Sequence, residues 1–298
     1  MADGQGAPAA VLIERAPAKV NLSLAVIGRR EDGYHRLDSL VAFARVSDEI
    51  RLEPFEPLSL VARGPMAGAC GEADANLVVK AARLLADRVP GLRLGAFTLL
   101  KRLPVAAGLG GGSSDAGAAL RLLARLNRLD LADPRVEAAA RATGSDVPVC
   151  LTAAPRRMTG AGEELSAPVA LASMPAVLVN PRKPTPTGPV FAALGLRPGD
   201  WREGAALPDL DRVATRAGLL AELGRSGNDL EAPALALEPT VGEAIEILRD
   251  DPGCRLARMS GSGATVFGLF DTCRSAAAAA RRIRLARPGW WVVSTMIG

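Results

Sequence analysis

Aromatic side chains are scarce in this 298-residue sequence, at 3% of the chain, with one tyrosine (Tyr34) and one histidine (His35). A single histidine leaves little room for a histidine-dependent triad and none for a multi-histidine metal centre. The core must then be built mainly from aliphatics, and 49% hydrophobic residues suffice for two cores of ordinary size. Cysteine is also sparse. Cys70, Cys150, Cys254 and Cys273 lie far apart with no C-x-x-C pair, which gives neither metal-ligand spacing nor a disulfide framework. They read as reduced thiols of a cytoplasmic protein. No apolar run reaches the roughly 20 residues of a membrane helix. The longest, residues 165–179, is interrupted by Pro168 and Pro175. The opening MADGQGAPAA has no basic stretch followed by an apolar one, so no signal peptide is expected, and its small residues are expected to be mobile. A strong charge of one sign is missing too: 36 basic against 32 acidic residues leave +4, spread along the chain. That excess suits an anionic small molecule, and no aromatic-studded basic stripe points to nucleic acid. The expectation is a soluble protein acting on small molecules, without nucleic-acid or membrane partners, as a monomer or weak homodimer.

The patterns that are present alternate between strand and helix. Residues 11–13 and 19–27 read as strands separated by Pro17, residues 28–33 as a charged turn, and residues 40–46 and 49–52 as further strands. Asn76 opens a helix carried by Leu77, Ala81, Leu84 and Leu85, which Pro90 and Gly91 stop. A strand at 94–100 leads into a glycine-rich loop and a helix over 114–128. Asp133 and Pro134 cap a short helix ending near Gly144. A proline-rich stretch from Pro155 to Pro189 reads as a domain junction. The end of the chain reads as strand (255–259), glycine turn, strand (264–270), helix (273–285) and strand (290–296), an antiparallel sheet backed by helices. No fixed-period repeat is present. The fold class is α+β in two domains, residues 11–156 and 157–298.

The loop Gly108-Leu109-Gly110-Gly111-Gly112-Ser113-Ser114 stands between a strand and a helix. Glycines let main-chain amides converge closely on an anion, and the helix N-terminus adds a favourable dipole. No lysine follows the glycines, so this is not a P-loop, and Ser113 stands where a dinucleotide fingerprint needs its third glycine. Close packing is the other use of such a loop, although three adjacent glycines are entropically costly to order. Phosphoryl transfer would further need a group to orient or deprotonate an acceptor hydroxyl, and a cation. Asp146, in Gly-Ser-Asp-Val-Pro, is either that group or a turn former. Lys19 is a cation in an apolar early strand, either functional or at a sheet edge. Tyr34 and His35 follow a glycine turn, and either grip a ring or form an exposed pair with no role. The turn Ser260-Gly261-Ser262-Gly263 could close on a substrate or simply turn a hairpin.

The segment from Pro104 to Asp115, PVAAGLGGGSSD, resembles the phosphate-binding signature of the GHMP kinases, the family of galactokinase, homoserine kinase, mevalonate kinase and phosphomevalonate kinase. APAKVNLSL from Ala16, DGYHRLDSL from Asp32, GSDVPVCL from Gly144, NDLE from Asn228 and MSGSGATVFG from Met259 follow in order. Together they resemble the branch of that family acting on 4-diphosphocytidyl-2-C-methyl-D-erythritol. The resemblance covers nearly the whole chain beyond residue 10. It implies a ribosomal S5 domain 2-like N-terminal domain, a ferredoxin-like C-terminal domain, and a cleft holding both substrates. It implies ATP with Mg2+ as phosphoryl donor and the acceptor's 2-hydroxyl as the target, in the non-mevalonate route to isoprenoid precursors. By motif, Asp146 is the base and Lys19 the cation beside it. Asn21 meets the methylerythritol end, and Tyr34, His35, Thr185 and Phe191 belong to the acceptor site. Asn76, Lys101, Pro104 and Gly108 through Ser114 belong to ATP; no protein metal ligand is implied. Ser145, Val149 and Cys150 depart from the family's usual Ala and aromatic residues, and the Pro184–Val190 stretch is longer by a couple of residues. The other readings are a GHMP kinase for mevalonate, homoserine or a sugar, an inactive ligand sensor of the same fold, and a nucleotide-dependent dehydrogenase. The cytosine grip disfavours the first, retention of Lys19 and Asp146 the second, and the failed dinucleotide fingerprint the third.

Overall fold

One strand organises the molecule: β3 (His35–Pro54) runs for 20 residues where the sequence predicted two shorter pieces. The two predicted pieces fuse because β3 is paired along both edges. On one side lie β1 (Leu12–Asn21) and β2 (Ala25–Arg29); on the other lie β5 (Gly95–Leu100) and β6 (Arg156–Gly160), all antiparallel. The computed structural model describes residues 10–298, so the expectation of mobility for the first residues lies outside the described chain. Pro17 does not separate two strands as expected. It stays inside β1 opposite Ser47, and the register shifts between Pro17 and Lys19. A proline gives no N–H to the ladder, so a bulge takes up the mismatch and re-aims the next side chain.

At the sheet edge β4 (Ser59–Arg63) lies parallel to β5, and four helices pack on this half. They are α1 (Leu77–Ala86), α2 (Gly111–Asn127), α3 (Pro134–Thr143) and α4 (Val147–Thr152). Asn76 caps α1 by accepting from the Val78 N–H, and Asp133 caps α3 by accepting from Arg135, both as the sequence predicted. The predicted loop-then-helix is shifted: α2 starts at Gly111, inside the glycine run. Leu52, Phe97, Leu99, Leu120 and Val147 meet in this core.

Beyond the short β7 (Glu164–Leu165), the proline-rich stretch hides a strand, β8 (Met174–Asn180), with every residue buried. It is flanked by β10 (Val266–Phe270) and β11 (Trp291–Ile297), with β9 (Cys254–Met259) outside β10. Helices α5 (Thr187–Ala192), α6 (Arg216–Arg225), α7 (Glu231–Leu237), α8 (Pro239–Arg249) and α9 (Cys273–Ala286) complete this half. The predicted order of strand, turn, strand, helix and strand holds for β9, β10, α9 and β11. The strand order β4-β5-β3-β11-β8-β10-β9 joins the two halves, through a single pairing of Ile297 with Ala44. A core of Leu22, Leu40, Leu109, Leu178 and Phe267 packs across that join. No helix among the described residues is long and apolar enough to cross a membrane.

Candidate active site

A cavity of about 650 Å³ opens between the glycine loop, the 28–35 turn, α5 and the turn after β9. That volume falls within the range of small-molecule sites. The β1 bulge brings Lys19 to its wall. The Lys19 backbone N–H donates to the Leu109 carbonyl at 2.9 Å, which ties strand to loop. Its ammonium, almost fully buried, lies 2.8 Å from Oδ2 of Asp146 and 3.3 Å from Oδ1 of Asn21. Asn21 is fixed in turn, donating from Nδ2 to Ser39 Oγ at 2.8 Å.

Asp146 precedes α4, a helix absent from the sequence reading because its six residues are too few to show periodicity. Its position depends on α2. A Cβ on Gly117 would stand 2.7 Å from the Cys150 carbonyl, so only glycine lets α4 pack this closely. Arg121 then donates to the Cys150 carbonyl at 2.8 Å and holds the end of α4. Burial, with the Asp146 charge adding to it, pushes the Cys150 thiol up to about 12, so this cysteine is an inert packing group.

The glycine loop is shaped by its neighbours. Gly110 has φ +57° and faces the Lys19 side chain, with its virtual Cβ 2.9 Å from Cε. Gly108 has φ +74°, and a Cβ there would lie 2.3 Å from the Ser260 carbonyl. No side chain caps the start of α2. Its first-turn amides are left without a side-chain partner, and Gly111, Gly112 and Ser113 line the cavity, an arrangement suited to an anion. The turn at Ser260–Gly263, left open by the sequence between a hairpin turn and a substrate contact, turns the chain and borders the cavity. It joins β9 to β10, and Gly261 and Ser262 line the cavity. Ser260 Oγ donates to the Gly108 carbonyl at 2.8 Å and accepts from the Asn21 N–H at 3.1 Å.

At the other end, His35 and Phe191 stack with ring centroids 4.7 Å apart, and Tyr34 stands 64% exposed at the rim. Burial, followed by the Arg29 charge, lowers the His35 pKa and favours the neutral ring. His35 Nε2 is buried without a hydrogen-bond partner.

Of the residues singled out from sequence, Lys19, Asn21, Tyr34, His35, Gly108, Gly110, Gly111, Gly112, Ser113, Asp146 and Phe191 line this one cavity. The others do not reach its wall. Lys101 turns under the loop, where its ammonium donates to Asp48 at 2.7 Å and to Asp115 at 2.6 Å. Burial disfavours the Lys101 charge, but the two carboxylates outweigh it and raise the pKa. Asp48 also accepts from the Arg102 and Leu103 N–H groups, so the three side chains brace the chain leading into the loop. Ser114 is buried and donates to the Pro17 carbonyl at 2.6 Å, while Leu109 and Pro104 pack inward. Asn76 spends its side-chain oxygen on capping α1. Thr185 is buried with its hydroxyl unpartnered, and Thr187, missed from sequence, takes the wall position and contacts Ser262 Oγ at 3.0 Å. Also missed was Asn228, which donates to the Met259 and Gly261 carbonyls and fixes the second glycine turn. The NDLE motif pointed at it without showing a partner.

The sequence matches the GHMP kinases N terminal domain over residues 76–153 and the GHMP kinases C terminal domain over residues 203–287. The 4-diphosphocytidyl-2-C-methyl-D-erythritol kinase of Methylobacterium radiotolerans is 58% identical over 288 residues, covering 96% of this chain and 99% of its own. The enzyme of the same name from Bradyrhizobium diazoefficiens is 56% identical over 292 residues, covering 96% and 97%. A crystal structure of 4-(cytidine 5'-diphospho)-2C-methyl-D-erythritol kinase superposes with TM-score 0.76 at 35% identity, covering 96% of this chain and 99% of that one. A homoserine kinase from Cytophaga hutchinsonii, with TM-score 0.69 at 17% identity, covers 97% and 96% and shares the fold alone. The chain belongs to the GHMP kinase family and, within it, to the 4-diphosphocytidyl-2-C-methyl-D-erythritol kinases.

Proposed function

We propose that the protein transfers the γ-phosphoryl group of ATP to the 2-hydroxyl of 4-diphosphocytidyl-2-C-methyl-D-erythritol, yielding ADP and the 2-phosphate. The observation that carries this reading is the Lys19–Asp146 pair on one cavity wall, between an uncapped glycine loop and the Tyr34, His35 and Phe191 cluster. Phosphoryl transfer asks a protein mainly for positioning and for positive charge near the transferring group. In this reading the amides of residues 110–113 hold the ATP phosphates. Asp146 accepts the proton of the attacking hydroxyl, and Lys19 orients that carboxylate while facing the charge that develops on the phosphoryl oxygens. Asn21 directs the methylerythritol end, and the ring cluster grips the cytosine. Lys101, with Asp48 and Asp115, positions the loop from beneath without touching nucleotide, and Asn76 places Leu77 at the nucleotide end.

Asp146 is the one carboxylate on the wall, and no group of three or more potential metal ligands occurs among the described residues. Mg2+ entering with ATP would therefore take most ligands from phosphate oxygens and water and would neutralise phosphate charge, and Asp146 and Ser113 are the lining side chains that would help hold it. We divide the chain into an N-terminal domain, 11–156, carrying loop and catalytic pair, and a C-terminal domain, 157–298, completing the cleft. The dispersed charge fits a cytoplasmic monomer or weak homodimer that engages neither nucleic acid nor membrane. Phosphorus NMR of the enzyme with ATP, Mg2+ and the acceptor tests the reaction. A new phosphomonoester signal matching ADP formation is expected. ADP with inorganic phosphate and unchanged acceptor would overturn it.

A further inference from the structure

The two substrates of the proposed reaction carry phosphate in two places, and the glycine loop accounts for only one. Among the described residues, two cationic side chains line the cavity, Lys19 and Arg29. Lys19 is neutralised by Asp146. Arg29 is held differently, by main-chain carbonyls: Nε donates to Gly33 at 3.1 Å and Nη1 to Leu196 at 2.9 Å. No carboxylate among the described residues forms an ion pair with it: Glu31 makes none, and Asp32 and Glu163 both pair with Arg30. The guanidinium is thus fixed at two points while its charge stays uncancelled.

Its location gives that charge a use. Arg29 lies in register with His35 across the β2–β3 pair. Gly33 belongs to the turn that presents Tyr34, and Leu196 to the chain just after α5, which carries Phe191. A nucleoside whose base sits on this ring cluster must run its ribose and diphosphate past the same wall. A diphosphate entering a cavity needs a cation to offset its lost hydration, and a planar guanidinium matches phosphate oxygens better than an ammonium.

We propose that Arg29 is the specificity-determining cation for the acceptor, its remaining nitrogen Nη2 taking an oxygen of the acceptor's diphosphate. This rests on the acceptor reading above. It makes diphosphate, and not the base alone, part of what the enzyme recognises, and it excludes small acceptors that cannot reach Arg29.

Calorimetric titration of cytidine and of cytidine diphosphate into the enzyme tests this, with the glycine loop saturated by a non-hydrolysable ATP analogue. Wild type should bind the diphosphate at least about tenfold more tightly than cytidine, the scale of one charge-assisted hydrogen bond. Arg29→Gln should lose most of that preference while binding cytidine as before, and Arg29→Lys should retain part of it. The acceptor KM should rise in Arg29→Gln with the ATP KM unmoved. An undiminished preference in Arg29→Gln would overturn the inference. So would an equal weakening of both ligands, which would reduce Arg29 to a brace for the Tyr34 turn. Failure of wild type to bind cytidine at all would overturn the acceptor reading itself, and the inference with it.

Discussion

The Lys19 ammonium lies 2.8 Å from Oδ2 of Asp146, with one residue delivered by a strand bulge and the other by the start of a short helix. Neither placement is local. The bulge follows from Pro17, and α4 sits where it does because Gly117 and Arg121 on α2 hold it. The same α2 begins in the glycine loop, so one helix sets both that loop and the carboxylate.

Asp146→Asn should separate binding from chemistry. The amide keeps the side-chain shape but cannot accept the hydroxyl proton, and an oriented base commonly contributes about 10²–10⁴-fold. We expect kcat to fall by that order, with ATP affinity from equilibrium titration nearly unchanged. Weakened ATP binding with preserved turnover would make Asp146 a structural residue.

Gly108→Ala should damage the contact between the two glycine turns. Its φ of +74° disfavours any side chain, and the added methyl would meet the Ser260 carbonyl. A left-handed conformation alone costs a non-glycine residue about 1–2 kcal/mol. A lower melting temperature together with a raised ATP KM is expected. An unchanged ATP KM would show that the loop does not depend on this contact.

Asp115 should make stability fall as pH rises. Burial pushes its carboxyl up to about 7; Lys101 pulls it down, and Asp48 adds to the rise. Folded chain therefore holds a proton that unfolded chain, with an ordinary value of 3.8, has released. The stabilisation is complete below 3.8 and is lost as pH climbs through about 7. Asp115→Asn lacks this titration, so its melting temperature relative to wild type should rise as pH climbs from 3.8 to about 7 and level off above that. A constant difference would contradict the shift.

His35 offers a direct probe because it is the only histidine, so its Hε1 proton gives one NMR signal. Burial and then Arg29 lower its pKa, so the midpoint should lie below 6.5. Arg29→Gln removes the second cause and should move the midpoint up. A wild-type midpoint at or above 6.5 would contradict this environment.

Much of this was legible in the chain. Asn76 and Asp133 announced their helices because a capping side chain acts on amides two residues away. The glycine loop, Lys19, Asp146 and the Tyr34-His35 pair were visible as unusual residues in unusual company. What stayed hidden depended on partners distant in sequence. Lys101 read as a nucleotide contact because its two carboxylates, Asp48 and Asp115, are brought to it only by the fold. Strand β8 was masked by Pro175 within it and Pro181 after it, and a strand buried on both faces shows no alternation. Thr187 displaced Thr185 from the wall because α5 begins at Thr187 and turns the segment, which no local pattern marked.

The most direct test of the proposed activity is ADP release measured with Mg-ATP and three acceptors side by side: 4-diphosphocytidyl-2-C-methyl-D-erythritol, mevalonate and homoserine. The account predicts turnover that depends on the cytidylyl acceptor, with little ADP above background from the other two. Equal or faster turnover of mevalonate or homoserine would contradict it.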